Sequence, residues 1–159
     1  MSAGEVLALR REGKHEEARE LAVALVQAAP GDAELQYETA CVHDYLGLEA
    51  EAVPFYRAAL AGRLDPARRR GAFLGLGSTL RVLGQYPESE EVLATGLGEF
   101  PDANELKVFL AMTLHNLGRS KDAVELLLRL VAATSADPEV RAYGGAIDFY
   151  AQDVERTWP

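Results

Sequence analysis

Cysteine is almost missing from this chain of 159 residues: Cys41 stands alone, so no internal disulfide can form and the fold must hold by packing, which suits a reducing compartment. Basic residues are also short, sixteen against 25 acidic, and the formal net charge of −9 sets up a field that repels phosphate backbones and anionic lipid surfaces. Nucleic acid and membrane are therefore poor partners. Long apolar runs are lacking too. The N-terminal stretch MSAGEVLALRREGKHEE meets two arginines at positions 10 and 11, too early for a signal peptide or a membrane span, and a cytoplasmic location is the expectation. What is present is ordinary for a globular protein with a real core: 48% hydrophobic and 26% charged residues, at a length that favours one domain.

The order in the chain is repetitive. Four segments align on a glycine, GKHEEARELAVAL from Gly13, GLEAEAVPFYRAA from Gly47, GQYPESEEVLATG from Gly84 and GRSKDAVELLLRL from Gly118, at spacings of 34, 37 and 34 residues. Five residues after each comes a small residue, Ala18, Ala52, Ser89 or Ala123; before the last three stands Leu46, Leu83 or Leu117. Leucines at three- and four-residue steps (76, 80, 83 and 106, 110, 114, 117) give the intervening segments helical rather than strand character. Asp32, Asp65-Pro66, Pro101-Asp102 and Asp137-Pro138 read as helix starts. The pattern predicts helices near 3–12, 14–28, 33–46, 49–61, 66–83, 87–98, 104–117, 120–133 and 138–155, paired across tight glycine turns. Pro54 predicts a late start or a bend in the fourth.

These features resemble the tetratricopeptide repeat, a helix-turn-helix unit of about 34 residues. The clearest segment is Phe73-x-x-Leu76-Gly77-x-x-Leu80, with the family's small eighth position held by Ala40, Gly77 and Ala111, and its closing proline by Pro30 and Pro101. In the first repeat Val6 takes the small position and Glu12 the leucine position, so residues 1–32 read either as a full repeat or as a cap. The resemblance implies an all-α, right-handed α-α superhelix in a single domain over residues 1–159. Its repeats fall near 1–32, 33–66, 70–103 and 104–137, with a solvating last helix over 138–156. First helices would line a concave groove suited to a peptide or helix of a partner protein.

The family's groove positions fall on Leu7, Arg10 and Arg11, then on Tyr37, Cys41, Asp44 and Tyr45. The third repeat supplies Gly71, Leu74, Ser78 and Arg81, the fourth Val108, Met112, His115 and Asn116, and Phe149 and Tyr150 would close the far end. Such a groove is apolar and aromatic, without the lysine and asparagine by which some family members grip a C-terminal carboxylate. An apolar segment is the expected occupant, with Arg10, Arg11 and Arg81 free to pair with its acidic groups. Gly71, Gly75 and Ser78 form a smooth strip between Tyr37 and Tyr45 on one side and Val108 and Met112 on the other, the expected floor of the groove. The same FLGLGSTLRVLG stretch fails as a phosphate loop, because Leu80 stands where a dinucleotide motif starting at Gly75 needs glycine and no Gly-Lys-Ser/Thr follows.

No cofactor, metal or catalytic site is expected. Cys41 and His43 lie about 200° apart on one helix and cannot share an ion, and His43 falls where the family packs a tyrosine. Cys41 and His115, two repeats apart, should be on the order of 20 Å distant, too far for proton transfer. Arg68, Arg69 and Arg70 oppose the dipole of the helix they begin, and read as a solvated end or a docking spot for an acidic surface. The two functional readings are an interaction module that binds a partner protein, and a structural homo-oligomer, a homodimer, that covers its own groove or terminal helices.

Overall fold

In the computed structural model, which describes residues 2–159, the described residues form ten helices and no strand. They are α1 (Ala3–Arg11), α2 (His15–Ala28), α3 (Ala33–Tyr45), α4 (Glu49–Ala61), α5 (Pro66–Val82), α6 (Tyr86–Glu99), α7 (Asn104–Asn116), α8 (Ser120–Thr134), α9 (Pro138–Ala142) and α10 (Gly144–Ala151). No helix among them is long and apolar enough to cross a membrane.

The aligned glycines make the pairs. Gly13, Gly47, Gly84 and Gly118 have φ between 74° and 78°, a left-handed backbone that other residues rarely adopt. Each turn closes with the same two bonds: Gly47 N–H donates to the Asp44 carbonyl at 3.1 Å and Leu48 N–H to the His43 carbonyl at 2.9 Å, as Gly118 does to His115 and Arg119 to Leu114. This doubly bonded end satisfies carbonyls that the helix leaves free and reverses the chain within three residues. The small residue five positions on is buried in every pair, because two helices that diverge from so tight a turn approach within side-chain depth of each other. In the third pair the approach leaves no room for a side chain: a Cβ on Gly77 would stand 2.5 Å from Leu93 Cγ, and Ser89 Oγ donates to the Gly77 carbonyl at 2.7 Å.

Helices pack consecutively, and first helices also touch one another, α1 with α3, α3 with α5 and α5 with α7, whereas second helices make no comparable contact. The stack therefore curves toward its first helices, as a helical-repeat solenoid does. Small apolar clusters run along it, from Val6, Ala22, Leu35 and Val42 through Ala40, Tyr56, Leu76 and Leu80 to Phe73, Leu93 and Leu106, and end at Ala111, Leu114 and Ala123.

Three expectations need correction. Helix α4 starts at Glu49 despite Pro54, which lies on the exposed face, as does Ala50, whose carbonyl loses its donor and is open to water. Helix α7 is capped by Ala103 rather than Asp102, with no side-chain bond, whereas Asp32, Asp65 and Asp137 do accept from first-turn N–H groups. The single last helix is broken at one residue: Tyr143, at φ −99° and ψ 8°, ends α9, and α10 begins directly after it at Gly144 and Gly145, two residues of low helix propensity in a first turn. Helix α10 then packs on α8 through buried Ala151, but makes no contact with α7 comparable to that of one first helix with the next.

Candidate functional site

The expected groove residues divide into a filled centre and an open end. At the centre, Tyr56 of the second helix α4 reaches between the first helices α3 and α5. It is 3% exposed, and its hydroxyl donates to Asp44 Oδ2 at 3.0 Å and lies 3.9 Å from Cys41 Sγ. A Cβ on Gly75 would collide with the Tyr56 ring, and one on Gly71 with the Tyr37 hydroxyl. The rings of Tyr37 and Tyr56 meet edge to face, with centroids 6.5 Å apart. Gly71 and Gly75 are thus not an open floor: each is the recess in which a tyrosine of the same chain lies. Burial pushes both phenols well above their ordinary pKa, with Cys41 adding to the shift in each. It raises the Cys41 thiol as well, which leaves it a poor nucleophile. The Asp44 carboxyl is also raised, by burial, against the opposing pull of the Tyr56 hydroxyl.

Toward the N-terminal end, Arg10 bonds to Glu38, which is 2% exposed and also lies 3.7 Å from Arg68. Arg11 is exposed and Leu7 half-buried. Tyr45, 68% exposed, stands at the rim with its ring stacked on His15 at 3.7 Å between centroids. His43 is buried, its Nδ1 2.7 Å from the Thr39 carbonyl and its ring beside Phe55. Leu74 packs against the cluster of Phe73, Leu93 and Leu106, and Ser78 and Val108 are half-buried.

The arginine run is neither a solvated end nor a docking spot. Arg68 pairs with Asp65 at 2.6 Å and approaches Glu34, Arg69 takes both Glu99 oxygens at 2.5 and 2.7 Å, and Arg70 bonds to Glu105 at 2.7 Å. All three are half-buried where α5 meets its neighbouring helices. The acidic surface they match is the protein's own. Hydrogen bonds from Arg69 and Arg70 hold the Glu99 and Glu105 carboxyls below their usual range.

At the other end, Arg81, Met112, His115 and Asn116 do come together. With Ala111, Ser120, Ala123, Val124 and Leu127 they line a cleft of about 350 Å³ whose side is α7 and whose floor is α8. Met112, Val124 and Leu127 are each 39 to 41% exposed, and Val131 continues the same face of α8 at 44%. Arg81 Nη1 donates to Asn116 Oδ1 at 3.1 Å and His115 Nδ1 lies 2.9 Å from Ser120 Oγ. Phe149 and Tyr150 lie outside this cleft. They are half-exposed on α10, where Phe149 packs on Trp158 at 5.2 Å and Arg156 lies over the Trp158 ring.

Sequence reasoning missed Tyr56, Val124 and Leu127, all on second helices. The signal for Tyr56 was the unexplained Gly75 opposite it. That for α8 was its run of Val124, Leu127 and Val131, more apolar positions than one neighbouring helix can cover.

A family model described as a Tetratrico peptide repeat matches residues 33–154, from the start of α3 past the end of α10, and leaves the pair α1 and α2 outside the match. No match to the chain was found among curated proteins.

Proposed function

Because the chain belongs to the tetratricopeptide repeat family, a scaffold that mediates protein-protein interaction rather than catalysis, we propose that it binds a peptide or helix of a partner protein on its concave side. The observation that supports this reading is the cleft bounded by Arg81, Met112 and His115: it is apolar, open to solvent and on the first-helix side of the stack. Binding there would bury side chains of α7 and α8 that the fold itself leaves half-exposed. With its centre filled by Tyr37 and Tyr56, the concave face offers a partner less depth than its residue types suggest, and the contacts move to the C-terminal end.

Self-association is the second reading, favoured by the aromatic surface of Tyr143, Phe149, Tyr150 and Trp158, each 47 to 64% exposed. Aromatics at such exposure are typical of surfaces covered in an assembly. Size-exclusion chromatography with light scattering separates the two. A monomer supports the partner-binding reading; a dimer that dissociates when Phe149 is changed to Asp, and persists when Leu127 is, replaces it with the structural one.

A further inference from the structure

Arg81 differs from the other arginines at the contacts between helices. Arg57, Arg68, Arg69, Arg70, Arg119 and Arg129 each have at least one carboxylate within 4 Å. Among the described residues none lies within that distance of Arg81. Its Nε is buried without any hydrogen-bond partner, and its one side-chain bond is to the neutral Asn116. A guanidinium set in an apolar wall, with a donor shielded from water and unused, is costly unless an acceptor arrives.

The same place is where the succession of first helices stops. Helix α5 packs on α4 and α3, and α7 on α6 and α5, but α10 packs on α8 without a like contact to α7. Val124, Leu127 and Val131, at i, i+3 and i+7, are left facing solvent beside Met112. That is the stripe one side of an amphipathic helix covers.

Resting on the interaction reading above, we propose that the occupant of this cleft is an acidic amphipathic helix of a partner protein, which takes the place beside α7 that a fifth first helix would fill. Its apolar side chains lie on Met112, Val124 and Leu127, and a carboxylate at its edge accepts from Arg81 in a charge-assisted bond. The chain's net charge of −9 does not forbid this, since charges more than about 8 Å away are largely screened at physiological salt, whereas contact at a part-buried arginine is not.

Two fluorescein-labelled synthetic peptides of about 15 residues, four helical turns, test the proposal by anisotropy with the full chain. Both carry leucine at successive three- and four-residue steps; one has glutamate on the flanks of that stripe, the other lysine. The wild type should prefer the glutamate peptide by about tenfold or more, Arg81→Glu should reverse the preference, and Leu127→Asp should abolish binding of both. Should Arg81→Glu lose helicity by circular dichroism, Arg81→Gln serves instead and should bring the two affinities to parity. The proposal is overturned if the wild type binds neither peptide, favours the lysine form, or keeps its affinity in Leu127→Asp. Binding that survives Leu127→Asp but is lost in Tyr45→Asp would retain the interaction reading and move the site elsewhere on the concave face. Binding of neither peptide by a chain that light scattering shows to be a dimer would remove both.

Discussion

The centre of the concave face and its C-terminal end are built from similar residue types and behave oppositely. At the centre, glycines on α5 admit Tyr37 and Tyr56, whose hydroxyls and rings fill the space between first helices and leave Cys41 and Asp44 half-buried beneath them. At the end, Met112, Val124 and Leu127 have nothing over them, because the segment that should continue the succession breaks at Tyr143 and turns aside. A concave surface rich in aromatics is therefore not by itself a groove. What decides is whether a second helix sends a large side chain through a gap that a small first-helix residue leaves open.

The contrast is broken most severely by removing the plug. Tyr56→Ala empties a buried site and removes the Tyr56 hydroxyl from Asp44, and should lower the unfolding free energy by about 4 kcal/mol in a urea titration. Gly75→Leu drives a side chain into the same ring and should cost about 2 kcal/mol. The double variant should lose clearly less than the sum, since the leucine then enters the space that the ring vacates. Simple addition of the two losses would mean that they act at separate places.

A third effect is smaller and depends on pH. Hydrogen bonds from Arg69 and Arg70 lower the folded-state pKa of Glu99 and Glu105, so the stability they contribute is present above the ordinary glutamate value of about 4.3 and is lost as pH falls through and below it. Urea midpoints at low and neutral pH should differ less in Glu105→Gln than in the wild type; an unchanged difference would show that this seam contributes nothing. The smallest effect is expected at the open end. Leu127→Asp should change stability by no more than about 0.5 kcal/mol, because the side chain is already 39% exposed and its loss removes little packing.

The helix pairs and their turns were legible in the sequence because both rest on local rules: leucine spacing, aspartate caps, and a glycine at each left-handed turn. The broken last helix was legible only in part. Its extent follows from the start at Asp137-Pro138, but the interruption at Tyr143 has no local signal, since Gly144 and Gly145 themselves begin α10. The site was harder to read, since groove positions taken from first helices alone omit whatever crosses from the second. Tyr56 could not be placed without knowing that α4 and α5 pack closely, nor could Glu99 and Glu105, the partners of Arg69 and Arg70, be assigned, 30 and 35 residues away in the chain and set by helix packing. Arg81, Met112, His115 and Asn116 fell together because they lie on first helices at their common end.

The difference between centre and end can be read most directly from thiol reactivity. Cys41 reports on the centre as it stands, and Leu127→Cys in a Cys41→Ser background reports on the end, each treated with an aromatic disulfide reagent at neutral pH. A filled centre requires Cys41 to react at least about tenfold more slowly, through shielding by Tyr37 and Tyr56 and through a thiol pKa raised by burial. Equal rates at the two positions would contradict the account, and would mean that the centre of the concave face is as open as its end.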